Sequence, residues 1–199
     1  MELIEKAQNY AAGKANDAIT NAIAQAYKDG YHDGYNDCKE EIPVNLRDNR
    51  AKCIDLGLPS GTLWSNDYER KDGEIIYLPY CKAAKENIPT EEQWKELTKF
   101  CRRIFDRSSS GMTLFGVTFI GPNGNSITFE SKGFMKDNLI VNAPHYGGGK
   151  VYFWITDQES ELEKKSIQMD YFQDAKGSIE KIEINNIFSG YKLPLRLVR

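Results

Sequence analysis

The chain has 199 residues, of which 40% are hydrophobic and 28% are charged, and its formal net charge is −3. This balance supports a folded core of ordinary size without metal or disulfide staples. Because the chain is slightly acidic, it has no electrostatic attraction to a phosphate backbone or to anionic lipid, so nucleic acid is not an expected partner. No stretch approaches the ~20 apolar residues of a membrane span.

The N-terminal region, residues 1–37, predicts one long helix. Residues 2–37 contain no proline, and small residues recur at spacings of three and four, the period of a helical stripe. Such a stripe lets a second helix approach closely, which predicts a homo-oligomer or docking to a larger assembly. The predicted interface residues are Ala11, Ala15, Ala18, Ala22, Ala26, Gly30 and Gly34. The alternative is a monomer in which this helix folds back along its own body.

The end of this stripe, AYKDGYHDGYNDC, repeats a four-residue unit of tyrosine, aspartate and glycine. Aspartates beside glycines are typical of calcium loops. Calcium loops, however, place their ligands at alternate positions and close with a glutamate, whereas these aspartates lie four apart. The spacing favours a helix with parallel stripes, on which His32 is a solvated residue, and no metal is expected.

A charged stretch with Pro43, residues 38–52, is predicted to be a linker, and beyond it the periodicity changes. Short β-branched or aromatic runs divided by Gly, Asn, Asp and Pro predict strands. The runs are EIIYL (74–78), MTLFGVTFI (112–120), NSITFE (125–130), KVYFWIT (150–156), SIQMDYF (166–172), IEKIEIN (179–185) and LPLRLVR (193–199). GPNGN (121–125) predicts a hairpin turn in which Asn123 and Gly124 have positive φ.

One further helix is predicted within this strand-rich region. Thr90 and Gln93 have the spacing of a capping box, and a buried stripe follows at Trp94, Leu97, Cys101 and Ile104. A single helix among antiparallel strands predicts an α+β body.

Six motifs occur in a recognisable order: CIDLGLPSGTLW, NIPTEEQWKEL, GPNGNSITF, KGFM, YFWIT and LPLRLVR. This series resembles the Fibrobacter succinogenes major paralogous domain family, which is common in Bacteroidetes and similar in turn to the C-type-lectin-like fold. The resemblance covers residues 53–199 and implies a C-type-lectin-like antiparallel sheet body. It also implies that DLGLPSGTLW forms a structural hairpin at the start of the body and that LPLRLVR is its closing strand.

The resemblance includes formylglycine-generating enzymes, which hold copper with paired cysteines. No cysteine follows Cys101, so that activity is not expected here. Calcium-dependent lectins use Glu-Pro-Asn or Gln-Pro-Asp with Trp-Asn-Asp, and neither set is complete in this chain. We therefore expect no catalytic residues, no cofactor and no metal. The alternatives are a degenerate enzyme related to formylglycine-generating proteins and an intracellular adaptor.

Aromatic side chains in the C-terminal half are the candidate ligand-binding residues. Tyrosine and tryptophan anchor both glycans and protein partners. With the loop histidine of NAPHYGGGK, the candidates are His145, Tyr146, Tyr152, Trp154, Tyr171 and Tyr191. For each ring the alternative is a place in the core. The glycines of that loop lead into a strand rather than a helix, so a flexible surface loop is favoured over a phosphate loop.

The N-terminus has early acidic residues and no apolar run of signal-peptide length, which predicts a cytoplasmic or virion protein. We accordingly expect the cysteines Cys38, Cys53, Cys81 and Cys101 to be reduced, although their even number permits two disulfides. The predicted function is non-catalytic recognition of a protein or glycan by the loops of the body. A phage or prophage virion component in a Bacteroidetes host fits the resemblance and the expected lack of a signal peptide.

Overall fold

The computed structural model describes residues 13, 16–26, 51–110, 113–144, 148–157, 163–174 and 177–199. The chain divides into two units, Met1–Glu40 and Glu41–Arg199. The second unit is an α+β body with mostly antiparallel strands, as the sequence predicts.

The first unit contains a helix, α1, at residues 16–26, and every described residue of this helix is exposed. Ala18, Ala22 and Ala26 of the predicted interface lie on it. Ile19 and Ile23 are 58% and 65% exposed, an unusual state for two isoleucines one helical turn apart. The other predicted interface residues and the tyrosine repeat lie outside the described residues; they include Ala11, Ala15, Gly30 and Gly34.

In its described residues the second unit consists of strands, most of them short, and two helices. In chain order they are β1 (Cys53–Asp55), β2 (Leu63–Ser65), β3 (Arg70–Lys71), β4 (Glu74–Ile75), β5 (Tyr77–Leu78), α2 (Tyr80–Ala83), α3 (Glu91–Phe100), β6 (Arg102–Arg107), β7 (Leu114–Ile120), β8 (Ser126–Glu130), β9 (Phe134–Lys136), β10 (Leu139–Val141), β11 (Val151–Trp154), β12 (Glu163–Asp174), β13 (Gly177–Phe188) and β14 (Leu193–Pro194).

Helix α3 begins as predicted and ends earlier than predicted. The Thr90 hydroxyl accepts a hydrogen bond from the Gln93 amide at 3.1 Å, and the Gln93 side chain accepts one from the Thr90 amide. Cys101 already has an extended backbone, and residues 102–107 form β6. The prediction that Ile104 continues the buried stripe is therefore wrong. Ile104 is a strand residue and 43% exposed.

Strands β6, β7 and β8 form an antiparallel sheet in which GPNGN is the turn between β7 and β8. Gly124 has a φ of +85°, and its amide donates to the Gly121 carbonyl. Asn123 does not share this conformation, contrary to the prediction. Its side chain instead accepts a hydrogen bond from the Asn125 amide, as asparagines commonly do in turns.

The sheet β11-β12-β13 has apolar side chains packed on both of its faces. Residues of β11 alternate: Val151 and Phe153 join one hydrophobic cluster, while Tyr152 and Trp154 join the other. All four are buried because each face of this strand is covered. The sheet thus separates the two apolar cores of the body.

The larger core is built around five fully or nearly fully buried rings, which we call the core ring cluster: Trp64, Trp94, Phe119, Phe129 and Phe153. Trp94 on α3 contacts the other four, with centroid distances from 5.5 to 6.4 Å in edge-to-face geometry. Phe129 and Phe153 are stacked at 5.0 Å. Because these rings come from α3 and four strand regions, the cluster joins most of the body.

DLGLPSGTLW forms the predicted structural hairpin, with β1 and β2 paired around it. The side-chain Nδ2 groups of Asn123 and Asn125 donate to the Asp55 carbonyl at 3.0 and 2.8 Å. At the turn, the Ser60 amide donates to a Glu96 carboxylate oxygen on α3 at 2.8 Å. The stretch is therefore fixed by the GPNGN turn on one side and by α3 on the other.

LPLRLVR, the closing segment, is a strand only at Leu193–Pro194, where β14 pairs with β5, so the expected closing strand is shorter than predicted. Residues 197–199 bond to β2. Leu63 and Arg199 exchange two backbone hydrogen bonds of 2.7 and 2.9 Å. Leu193, Leu195, Leu197 and Val198 are all buried. The segment thus closes the body.

Cys81 is disulfide-bonded, whereas Cys53 and Cys101 are free. The expectation that all four cysteines are reduced is wrong for Cys81. The even cysteine number permits such a bond, but the spacing of the cysteines along the chain offers no reason to prefer it.

Candidate binding surface

The hairpin of β9 and β10 carries an aromatic and apolar face. Asp137 and Asn138 form its turn, with φ of +49° and +60°, the left-handed values that a two-residue hairpin loop requires. The pairing places Leu139 opposite Lys136 and Val141 opposite Phe134, so these four side chains share one face. Leu139 is 69% exposed.

Phe134 connects this hairpin face to two more aromatic segments. Its ring lies 5.1 Å from the Tyr152 ring and 5.1 Å from the Tyr191 ring, and Tyr191 lies 5.4 Å from Phe188. We call these four rings the surface cluster. Phe188 is 39% exposed, and Phe134 and Tyr191 are half-buried. The Lys136 ammonium lies 5.8 Å above Tyr191, within cation–π range.

Tyr152 is the buried base of the surface cluster. Its hydroxyl accepts a hydrogen bond from the Asn142 side-chain amide at 3.0 Å. Burial raises the pKa of the Tyr152 phenol, and the bond from Asn142 partly offsets this. The Asn142 carbonyl in turn accepts from the Lys150 amide at 2.7 Å. Tyr152 is therefore a neutral phenol held beside Asn142.

Gly133 sets the position of Phe134. Its φ is +63°, and a Cβ there would lie 1.9 Å from the Val141 carbonyl oxygen. Only glycine permits the residue that precedes β9 to come this close to the last residue of β10. Next to it, the Lys132 carbonyl accepts from the Tyr77 hydroxyl at 2.9 Å, and burial raises the pKa of Tyr77 to about 12. The first approach closes the hairpin on itself, and the Tyr77–Lys132 bond joins its base to β5.

Of the residues predicted to bind ligand, Tyr152 and Tyr191 are brought together, through Phe134. Trp154 is 1% exposed, with its indole N–H donating to the Leu78 carbonyl, so it is a core residue. Tyr171 is 3% exposed and bonded to Arg107, on the opposite sheet face from Tyr152. Neither ring is presented to a ligand. His145 and Tyr146 lie outside the described residues.

Four residues of this surface were not among those predicted to bind ligand: Phe134, Lys136, Leu139 and Phe188. A signal for the hairpin was present, because Asp-Asn between FMK and LIV is a turn dipeptide flanked by apolar runs. Phe188 had no such signal. Phe188 is exposed because it lies at the end of β13. The alternation of apolar and polar residues in the sequence does not predict where that strand ends.

A buried arginine lies deep in the body. The Arg196 guanidinium is 4.3 Å from the Phe129 ring and 5.4 Å from the Tyr68 ring, and it donates to the Thr128 carbonyl at 3.1 Å. Burial lowers the pKa of Arg196 to about 10. The Tyr68 hydroxyl donates to the Glu130 carbonyl, and burial raises its pKa. These contacts join the closing segment to β8 and are structural.

Among the residues that the structure describes, three carboxyl groups have a lowered pKa, and each has a cation beside it. Asp67 is bonded to Arg70, Glu91 to Lys95 and Lys165, and Glu183 to Lys181. For Asp67, the partial burial that opposes this shift is outweighed by the bonds from Arg70 and from the Tyr68 amide. These groups are ion-paired surface residues on separate elements. In the part of the chain that the structure describes, no group of three His, Cys, Asp or Glu residues has metal-binding geometry.

Comparison with protein-family models, with curated proteins and with solved structures finds no match for this chain. Within the described ranges, no helix has both the length and the apolar character needed to cross a bilayer.

Proposed function

We propose that the body is a non-catalytic binding module of the C-type-lectin-like kind, and that it recognises a protein or glycan at the surface cluster. The observation that carries this proposal is the row of partly exposed rings, Phe134, Tyr191 and Phe188, beside the exposed Leu139. The order of the family-like motifs supports the fold assignment.

The surface cluster has the chemistry of a recognition site. Its rings are held by their neighbours, so covering them costs little side-chain entropy. Aromatic rings with an apolar neighbour form the anchors of protein interfaces, and the same ring faces pack against sugars. Lys136 adds one positive charge at the rim. A degenerate enzyme is less well supported, because each described carboxyl group with a lowered pKa already has its own cation.

The test uses the full chain labelled with a fluorophore and applied to a glycan array and to intact Bacteroidetes cells. Phe188→Ala and Tyr191→Ala are expected to reduce binding by about tenfold or more, the loss typical of an interface anchor. Phe100→Ala is the matched control, because Phe100 is 42% exposed, close to the 39% of Phe188, and lies on α3. Equal binding by wild type and both surface variants would exclude this surface as the site.

The proposed setting is a Bacteroidetes bacterium or its phage, with the protein in a virion or in the cytoplasm. The family resemblance supports this setting, and an intracellular adaptor is the alternative. Neighbouring genes for tail or capsid proteins would favour the virion. A metabolic operon around the gene would contradict it.

We propose in addition that α1 mediates self-association. The support is its exposed Ile19 and Ile23 beside Ala18, Ala22 and Ala26. The double variant Ile19→Glu/Ile23→Glu of the full chain should have a lower mass in light scattering than the wild type. An unchanged mass would favour the alternative, in which the helix braces a monomer.

A further inference from the structure

Strand β13 is an open sheet edge of unusual length. It has twelve residues and pairs along its whole length with β12 in an unbroken register. In the sheet order β11-β12-β13 it stands at one end, and no other described strand pairs with its outer side. An edge of this length offers a row of backbone N–H and C=O groups to another strand.

The hydrogen bonds of β12 show which groups of β13 point outward. The Lys165 carbonyl accepts from the Ile155 amide, and the Lys165 amide donates to the Asp157 side chain, so both groups point away from β13. Lys165 pairs with Asn186, which therefore turns its own backbone groups to the open side. By alternation along the unbroken register, Ile184, Ile182 and Glu180 do the same.

The charges near the centre of this edge alternate. Lys181 and Glu183 lie on the same face of the strand, and their side chains are 2.8 Å apart and partly exposed. Charged residues on an edge normally prevent indiscriminate strand pairing. Here their order, positive then negative two residues later, is self-complementary when the strand meets an antiparallel copy of itself.

We propose that β13 is a self-association site at which two copies of this chain pair antiparallel, with Ile182 on the two-fold axis. In this register the outward backbone groups of Ile182 meet their symmetry mates, and Glu180 pairs with Ile184 of the second copy. Lys181 then lies opposite Glu183 of the second copy, twice by symmetry. These are non-hydrogen-bonded pairs, in which opposed side chains are closest.

Other centres on this edge lose that complementarity. An axis through Lys181 or Glu183 would place two like charges opposite each other, which destabilises a sheet pair. An axis through Glu180 would place that carboxylate opposite its own copy, and an axis through Ile184 would leave Lys181 and Glu183 opposite uncharged residues. In the Ile182 register the outward backbone groups of both Ile182 and Ile184 pair with the second copy, and the side chains of these two residues are partly buried against the larger core. The sequence of the edge thus selects one register.

The first experiment measures the mass of the full chain by light scattering over a concentration series. Lys181→Glu and Glu183→Lys each place like charges opposite each other, and each is expected to halve the mass reached by the wild type. An equimolar mixture of the two variants restores both opposite-charge pairs between copies and should recover the wild-type mass. Each variant carries like charges at positions 181 and 183 of its own chain, so the recovery can come only from pairing between the two different variants. Lys71→Glu, the same change on the exposed strand β3, is the control and should have no effect.

The second experiment follows amide hydrogen exchange with increasing protein concentration. The amides of Glu180, Ile182 and Ile184 should become protected as copies pair, while those of Lys181 and Glu183 are protected at all concentrations by β12. A wild type without concentration-dependent mass, variants with unchanged mass, or a mixture that fails to recover would each overturn the proposal. Loss of mass in the Ile19→Glu/Ile23→Glu variant but not in Lys181→Glu would assign self-association to α1 instead.

Discussion

The core ring cluster and the surface cluster have similar ring geometry and differ in their access to water. Centroids are 5.0 to 6.4 Å apart in the first and 5.1 to 5.4 Å apart in the second. In the first, every ring is buried, while Phe188 in the second is 39% exposed. Ring contacts alone therefore do not mark a binding site. A ring stabilises the fold where water is already excluded, and it is available to a partner where water remains.

The strongest test of this difference between the two clusters is to remove the central ring of the core ring cluster. Trp94→Ala is expected to lower the free energy of unfolding by about 3–5 kcal/mol, because four rings lose their common neighbour. Urea denaturation followed by circular dichroism measures the change. Phe188→Ala is the counterpart in the surface cluster and should cost less than about 1 kcal/mol. Equal costs would mean that the two clusters do not differ in role.

A smaller effect is expected from the glycine that supports the surface cluster. Gly133→Ala should cost about 1–3 kcal/mol, because the residue has positive φ and its Cβ would collide with the Val141 carbonyl. Gly61→Ala is the control: φ is +73° there too, but no atom would lie within 4 Å of the added Cβ. The difference in denaturation midpoints between the two variants isolates the collision. Equal midpoints would show that the hairpin adjusts without cost.

The smallest expected effect is that of the Tyr77 hydroxyl. Tyr77→Phe should cost about 1 kcal/mol at neutral pH, the value of one hydrogen bond. In the folded state the pKa of Tyr77 is raised to about 12, so the unfolded chain loses this proton first. Stability contributed by Tyr77 is therefore present below about pH 10 and is lost as pH rises toward about 12.

Urea denaturation of wild type and Tyr77→Phe along that pH range tests the sign. The difference in unfolding free energy between the two proteins should shrink as pH rises. It should change by less than about 1.4 kcal/mol per pH unit, because the Tyr77 ring is only partly buried. Parallel curves would mean that the Tyr77 phenol does not titrate differently in the folded and unfolded states. Tyr68 contributes with the same sign in both proteins and cancels in the difference.

Where local signals were strong, the sequence predicted the structure well. Thr90 and Gln93 predicted the start of α3, and Pro-Ser-Gly at 59–61 predicted the hairpin between β1 and β2. In both cases the decisive bonds join residues close in sequence. The end of α3 was predicted too late. The apolar spacing from Trp94 to Ile104 fits one continuous helix, and it fits equally well a shorter helix followed by a strand. Tertiary pairing of β6 with β7 decided the outcome.

The candidate binding surface was only partly predictable. Tyr152, Trp154, Tyr171 and Tyr191 were all selected on the same composition signal, but the first three are buried and only Tyr191 is partly exposed. On β11, a partner layer covers each face, so alternation between adjacent residues does not separate inside from outside. Which ring reaches water depends on where β13 ends and on where the β9–β10 hairpin packs. Those are long-range contacts.

The ladder between Leu63 and Arg199 has a consequence for how the protein is made. The β2 strand and its Trp64 leave the ribosome long before the segment that covers them. At synthesis rates of about 5–20 residues per second, the interval is on the order of ten seconds. During this interval β2 is exposed on the side that residues 197–199 later cover. Chaperones can bind it there, and it can pair wrongly with another nascent chain. Faster translation of the intervening region should therefore raise the soluble yield of this protein.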